Sequence, residues 1–512
     1  MAIVGAGLAG NLLARQLRRA LPDVAVGLFE ESMAPSYKVG EATVEIATSY
    51  LLRRQGLSTY LYERQLPKNG LRFFFDTPER DCALERMSEM GSVNLPFHPA
   101  FQLDRARLET DLSEMNQRDG VELRRGARVL GVELGAGGAP HVLEVEESGR
   151  RQRQTARWVV DAAGRSGLLA RQEGLREPEP THRIGSAWAR FEGVRDIDAL
   201  GPEEFRGRVR HTPRRLSTIH FWYPGYWIWF IPLRGGVTSV GVTGECVARR
   251  RDLRTPEGFR AFLDEHGAVS DLLAGAKRVD FGSYARIAYG TRTFFDPGRW
   301  GLTGEAANST DPLYSPGSDF IALENDFLCD LIARDLGGAG DEALAERCGL
   351  YDAFMRYRHE ATMRLYRNLY GCFGNYDLAR AKWDFDIGSY YNMWVSAYLR
   401  DQHLDPEYLR LQLRLEPFVL RVVDEFAALF QRVEASLRER GLYFRRNTGE
   451  FYHGLTNIDF AERVGLERSQ EEVIEKAGEI FNCVRAQALE LLGQGPARDL
   501  PVNAYLTGRA FA

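Results

Sequence analysis

The chain reads as an α/β protein in which a unit built on a parallel sheet is interrupted by an antiparallel sheet and followed by helices. Three observations carry that reading. A glycine-rich turn, Gly5-Ala6-Gly7-Leu8-Ala9-Gly10, follows the apolar run Ala2-Ile3-Val4 and leads into a helix-like stretch, Asn11 to Ala20. Short runs such as Ser217-Thr218-Ile219-His220-Phe221-Trp222 and Thr238-Ser239-Val240-Gly241-Val242 alternate apolar and polar residues, the mark of an antiparallel sheet with one buried face. From Pro406 to Arg440, leucines, valines and phenylalanines recur at helical three- and four-residue spacing.

Taken in order, the elements build a nucleotide-binding unit. The glycine turn lets a pyrophosphate sit on a helix N-terminus, where unpaired N–H groups and the helix dipole favour an anion. Roughly twenty residues on, the run Val24-Ala25-Val26-Gly27-Leu28-Phe29 ends in Glu30-Glu31, where a carboxylate can accept hydrogen bonds from a ribose. Strand-like segments recur at Val121-Glu122-Leu123-Arg124, at 127–132 and at 158–165, and Gly301-Leu302-Thr303-Gly304-Glu305-Ala306-Ala307 looks like a last strand of the unit. The expected division is 1–182 and 296–335 for the nucleotide-binding domain, 183–295 for an inserted antiparallel sheet, and 336–512 for a helical C-terminal module. Because the first strand starts almost at Met1, a few upstream residues are expected to be missing.

Composition excludes several classes. With 512 residues, 44% of them hydrophobic, the chain can bury two or three cores, as a soluble enzyme does. Net charge is −5 with no unopposed basic tract, so nucleic acid is not an expected partner. No apolar run reaches the roughly 18 to 20 residues that a membrane span needs, and the N-terminus lacks the basic flank of a signal peptide. A cytoplasmic protein is expected. The six cysteines show no CxxC spacing and the nine histidines no HExxH pair, so no metal site is expected.

Further motifs give these pieces a resemblance. Gly40-Glu41-Ala42-Thr43, Lys68-Asn69-Gly70-Leu71-Arg72-Phe73, Trp227-x-Trp229-x-Ile231-Pro232 and Asp311-Pro312-Leu313-Tyr314-Ser315-Pro316-Gly317-Ser318 together resemble the flavin-dependent halogenases, FAD monooxygenases with the glutathione-reductase-type Rossmann fold. The resemblance covers residues 3 to 320 and implies FAD, reduced by a separate NAD(P)H:flavin reductase because no second pyridine-nucleotide fingerprint is present. It implies that reduced FAD and O2 oxidise chloride or bromide to hypohalous acid, which travels to Lys68 and is delivered to an electron-rich aromatic, phenolic or carrier-protein-bound, in natural-product biosynthesis. Trp227 and Trp229 would fill the space beside the flavin ring and keep substrate away from it. Their i, i+2 spacing puts both on one face of a strand, which also suits plain core residues.

The cofactor ligands implied are Gly5, Ala6, Gly7, Ala9, Gly10, Glu30, Glu31, Ser32, Glu41, Ala42, Arg105, Val129, Asp161, Gly164, Gly304, Glu305, Pro312 and Ser318. Halide would be held by Ser315, Gly317 and Ser318, with Lys68 and Tyr314 as the catalytic pair. In tryptophan halogenases a glutamate occupies the place of Tyr314 and a threonine that of Pro316. A phenol, with an ordinary pKa of about 10, is no base at neutral pH, and proline offers no N–H. These departures argue against free tryptophan as substrate. The alternative is an FAD monooxygenase or dehydrogenase without halide chemistry, with a non-catalytic flavin-binding or carrier-docking protein behind it. An aromatic-dense stretch, Tyr366 to Tyr398, reads mostly as helical core, with a substrate pocket as the other reading.

Overall fold

The computed structural model describes residues 1–209, 211–453 and 459–511. Its N-terminal unit is a six-stranded sheet in the order Phe295–Asp296, Trp300–Leu302, Val159–Asp161, Ala2–Val4, Gly27–Glu30, Glu122–Arg125. All neighbours run parallel except the first pair. The central strand Ala2–Val4 is buried throughout, as an uninterrupted apolar run requires in a sheet covered on both faces. Helix Leu8–Ala20 lies on one of those faces, burying Leu8, Leu12, Leu13 and Leu17 at helical spacing. A three-stranded antiparallel ribbon, Ala127–Glu133, His141–Glu147 and Arg150–Ala156, branches from the edge.

The second sheet has nine strands and forms the wall of the site. Its centre is Thr218–Tyr223, Tyr226–Pro232 and Val237–Gly244, joined as antiparallel neighbours. Strand Leu71–Phe75 pairs parallel to Thr218–Tyr223, with Leu71 opposite Thr218 and Phe73 opposite His220. Strands Ser88–Gly91 and Phe451–Tyr452 complete that edge, so the sheet collects segments from both sides of the 183–295 stretch. Just before Leu71, the short strand Leu66–Lys68 pairs antiparallel with Ala100–Gln102. Gly70, at φ +68°, makes the left-handed turn between the two strands and leaves Lys68 between that short pair and the nine-stranded sheet.

Past residue 316 the described chain is mostly helical, with Phe451–Tyr452 as a strand. Gly317–Leu336 returns against helix Leu8–Ala20, and Asp341–Arg364 packs along Pro406–Glu439. Helix Tyr376–Ser389 packs against Gln470–Leu491 and continues as a π-helical turn, Tyr390–Val395. Asp405 caps the long helix through the Glu407 N–H at 3.0 Å, and Pro406 occupies its first turn, where a missing N–H costs nothing. Among the described residues no helix is long and apolar enough to cross a membrane, and all six cysteines are free thiols.

Candidate active site

The glycine turn has a separate use for each glycine. Gly5, at φ +101°, donates to the Phe29 carbonyl at 2.7 Å, and a Cβ there would lie 2.4 Å from the Ala162 oxygen. Gly10 has no room either, since its Cβ would meet the Gly5 oxygen at 2.0 Å, so helix and strand pack backbone to backbone. Gly7 faces open space, with only Lys38 Nζ nearby at 3.7 Å. An open glycine at the N-cap of a buried helix is what a pyrophosphate needs, and the residues present fit a dinucleotide. Glu30 ends the second strand and holds the turn: Oε2 accepts the Ala6 N–H at 2.8 Å and Oε1 the Ser32 N–H at 2.9 Å. Glu31 and Ser32 are exposed beside it, Glu31 within 3.6 Å of Arg128, and Val129 is buried in the ribbon strand.

Across the sheet, Gly304, at φ +63°, abuts Ala9, whose Cβ lies 2.9 Å from where a Gly304 Cβ would be. The Glu324 carboxyl, pushed up to about 8 by burial, accepts the Gly304 N–H at 2.6 Å and fixes that turn. Glu305 is half-exposed and lies 3.4 Å from Arg165, next to Gly164 in an open left-handed turn. Arg105 bonds the carbonyls of Val39 and Gly40 at 3.1 and 3.3 Å and pairs with Glu109 at 2.5 Å, which fixes the 39–42 loop. Ala42 bridges to Gln102.

Two expected cofactor ligands have their carboxylates enclosed by protein. Asp161 is fully buried, with one oxygen accepting the Ala163 N–H at 3.0 Å and the other the Leu169 N–H at 2.7 Å, so it shapes the loop that touches Gly5. Glu41 is 1% exposed and paired with Arg190 at 2.7 Å.

Trp227 and Trp229 are buried neighbours on one face of their strand, with ring centroids 5.4 Å apart. The sheet makes room for them: Trp229 lies opposite Gly241, where a Cβ would fall 2.2 Å from its ring. Trp227 Nε1 donates to the Tyr370 hydroxyl at 2.9 Å, and that hydroxyl donates to Asp311 Oδ2 at 2.5 Å. His182 shares the same oxygen at 2.6 Å, so the tryptophan pair is tied to the start of the 311–318 loop.

Within that loop, Ser315 sits at φ +58° and its N–H bonds the Pro312 carbonyl at 3.0 Å. Pro316 then leads into helix Gly317–Leu336. Gly317 is open, and Ser318 Oγ is buried with no hydrogen-bond partner, an orphaned donor at a helix N-terminus that fits an anion. Tyr314 donates to Asp386 Oδ2 at 2.9 Å, and Lys382 holds the same carboxylate. Burial and then Asp386 raise the Tyr314 phenol well above its ordinary value, so it stays protonated and keeps its proton on the bond to Asp386.

Lys68 is 3% exposed and its ammonium donates to the Thr43 carbonyl at 2.8 Å. Burial pulls it down to about 8, against the opposing charges of Glu45 and Asp319. His220, missed as a site residue in the sequence, stacks on Phe73 and lies 5.3 Å from the Trp227 ring. Burial and then the Lys68 charge pull it down to about 3, so it is neutral. Asp319 was missed as well. It accepts the Ala47 N–H at 2.9 Å and the Tyr390 hydroxyl at 2.8 Å, and burial pushes it up to about 7. Its one sequence signal was adjacency to the 311–318 loop.

Beyond Tyr314 and Asp319 a cavity of about 200 Å³ opens between the helices, with Val44, Leu71, Trp383, Phe385 and Tyr390 among its walls. Several aromatics from the Tyr366–Tyr398 stretch line it, whereas Tyr370, Phe373, Tyr376 and Tyr398 pack in the core.

Comparisons with known proteins agree with this geometry. The family model for the FAD binding domain matches residues 1–347. The flavin-dependent halogenase chlA of Dictyostelium discoideum is 27% identical over 438 residues, 79% of this chain and 71% of its own. A 1H-pyrrole-2-carbonyl-[peptidyl-carrier protein] chlorinase of Pseudomonas fluorescens is 26% identical over 333 residues, 62% of this chain and 71% of its own. Among solved structures, halogenase PltM superposes with a TM-score of 0.68 over 95% of this chain and 96% of that one, at 19% identity. A fold of this kind, with a dinucleotide cradle in its parallel sheet, defines a flavoprotein oxidoreductase. The chain belongs to the FAD-binding domain family and, within it, to the flavin-dependent halogenases.

Proposed function

We propose that this enzyme halogenates an electron-rich aromatic, phenolic or carrier-tethered, as a step in natural-product biosynthesis, and that Lys68 delivers the electrophile. The observation that carries this reading is the position of Lys68. It is a buried amine that desolvation pulls down to about 8, set where the tryptophan-bearing sheet meets the chain segment, Val44 and Leu71, that walls the cavity. FAD bound in the glycine cradle and reduced by a partner NAD(P)H:flavin reductase would supply, with O2, the oxidising power that turns chloride or bromide into an electrophile. The protein's part is confinement and proton control. Trp227 and Trp229, two rigid rings each covering on the order of 200 Å², separate the cradle from the cavity. Ser315, Gly317 and Ser318 hold the halide. Lys68 Nζ, shielded from water, holds the hypohalous acid by a hydrogen bond or, in its unprotonated form, takes the halogen as a haloamine while the hydroxyl leaves with an amine proton as water. Asp319, ionised on passing about pH 7, takes the proton that the ring or its hydroxyl loses. On this reading residues 1–182 and 296–335 serve the cofactor, 183–295 the dividing wall and 336–512 the substrate, in the cytoplasm.

The test is to load the protein with FAD, reduce it anaerobically and mix it with O2 and bromide or chloride in the presence of a nucleophilic trap. Halide-dependent modification that is lost in Lys68→Ala, with FAD retained, is the expected outcome. Hydrogen peroxide alone at every halide concentration would overturn the proposal in favour of the monooxygenase reading, which halide-independent hydroxylation identifies.

A further inference from the structure

Four arginines of the described chain are buried, and three of them are matched by carboxylates. Arg72 and Arg214 share Glu89, and Arg190 holds Glu41 and Asp280. The fourth, Arg358, is 4% exposed in the middle of helix Asp341–Arg364, and among the described residues no carboxylate oxygen lies within 4.0 Å of it. Its more exposed neighbours on that helix are paired, Arg356 with Asp352 at 2.9 Å and Arg364 with Glu360 at 2.7 Å. Arg358 Nη1 donates to Thr362 Oγ1 at 2.8 Å, Nε is buried without a partner, and the guanidinium lies over the Trp394 ring at 4.2 Å. It faces the helical cavity. A guanidinium stays charged in a protein, and an unmatched buried charge costs several kcal/mol, so an orphan of this kind marks a place for an anion.

We infer that the cavity takes a free aromatic carboxylic acid, with Arg358 holding the carboxylate while the ring faces Tyr314 and Asp319. This rests on the cavity being the substrate site of the proposed reaction. A carboxylate fits one guanidinium fork, through two parallel hydrogen bonds, and neutralises one charge. Among the other charged groups on the wall, Asp386 is paired with Lys382, whereas Arg468, which donates to Asn392 Oδ1 at 2.5 Å and keeps Nη1 without a partner, and Arg400, which donates to the Arg468 carbonyl at 3.4 Å, are only half-buried. Asp319 is felt by Arg358 as an opposite charge but stands beyond ion-pair distance. The assignment separates two substrate forms that the halogenase reading leaves open, because a carrier thioester has consumed the carboxyl that Arg358 would bind.

The experiment is direct binding to oxidised, FAD-loaded protein without halide, followed by calorimetry. Probes are 4-hydroxyphenylacetate and alkylsalicylates, the methyl ester of each acid, phenyl phosphate, and a hydroxybenzoyl thioester of phosphopantetheine. Expected is an acid-over-ester preference of roughly tenfold, about 1.4 kcal/mol, that vanishes in Arg358→Leu and is partly kept in Arg358→Lys. FAD content and thermal midpoint serve as the folding control, and Arg358→Lys alone decides the matter if the leucine variant does not fold. Equal binding of acid and ester, no binding of any acid, or an acid preference that survives in Arg358→Leu overturns the inference. So does an Arg358-dependent preference for phenyl phosphate or for the thioester. Because turnover is not needed, these outcomes leave the halogenase reading untouched. A failed halide assay beside an intact acid preference would instead remove the halogenase reading and keep Arg358 as the carboxylate site.

Discussion

The glycine cradle and the lysine pocket lie in one molecule yet are built on opposite principles. In the cradle the working groups are backbone atoms: the Ala6 N–H on Glu30, the Gly5 N–H on Phe29, and the open face of Gly7. All lie within one strand–turn–helix unit and its neighbouring strand. In the pocket the working groups are side chains from distant segments, with Lys68, His220, Tyr314, Asp319 and Arg358 converging from a short strand pair, the nine-stranded sheet, the 311–318 loop and two helices. The difference teaches that a backbone site is exposed to damage by added atoms, whereas a side-chain site is held at an energetic cost that its removal relieves.

The strongest break of that comparison would come from Gly10→Val, whose Cβ would lie 2.0 Å from the Gly5 oxygen. No folded, flavin-loaded protein is expected on purification. Gly7→Ala, which meets only Lys38 Nζ at 3.7 Å, should keep the wild-type thermal midpoint. It should lose roughly tenfold in FAD affinity, read by flavin fluorescence titration. If Gly10→Val bound flavin normally, the cradle would not be a close-packed backbone device.

Lys68→Met sharpens the other side. Halogenation should be lost with FAD binding unchanged, while the fold becomes more stable at neutral pH. The sign follows from the lowered folded-state value of about 8 against an ordinary 10.5. Below about 8 the unfolded and folded chains both carry the proton, and the folded chain bears the full cost of a buried charge. Between 8 and 10.5 only the unfolded chain stays protonated, so the penalty fades as pH rises. Removing the amine should therefore add up to about 3 kcal/mol at pH 7, less the lost bond to Thr43, and little near pH 10. Urea denaturation at the two pH values measures it, and a variant less stable than wild type at pH 7 would mean that Lys68 is not held against burial.

Next in size is Asp319→Asn. Asp319 works as a base only when ionised, so wild-type halogenation should rise through about pH 7. The amide should lower kcat by about 10²-fold and remove that limb from the pH–rate profile. A limb that persists belongs to another group. The smallest effect belongs to Tyr314→Phe. It removes one hydrogen bond to an Asp386 still held by Lys382, for about 1 kcal/mol in stability. Because the phenol titrates far above the working range, the pH profile should superimpose on wild type, and a shifted profile would make Tyr314 an acid–base group.

Much of this was legible in the chain. The segment Val24–Phe29 became the strand Gly27–Glu30, Trp158–Arg165 contains Val159–Asp161, and Pro406–Arg440 became the helix Pro406–Glu439, since apolar periodicity reports burial directly. The carboxylates were harder. Glu41 and Asp161 carry motif positions, yet one Glu41 oxygen pairs with Arg190 and both Asp161 oxygens accept loop N–H groups, which no spacing announces. His220 looked like any strand residue until Leu71–Phe75 was seen to pair beside it, stacking Phe73 on its ring.

By itself the sequence determined the nucleotide-binding turn, the alternation of the dividing sheet, the helical tail and the lysine motif. These are local properties, set by glycine conformations, side-chain period and short-range spacing. Only the tertiary structure decided that Leu71–Phe75 joins the tryptophan sheet and carries Lys68 to its edge. It also decided that Asp319 faces the cavity and that Arg358 is buried with no carboxylate in ion-pair reach among the described residues. Those facts depend on which distant surfaces exclude water together, and desolvation, which sets every charge in the site, is a property of the packed whole.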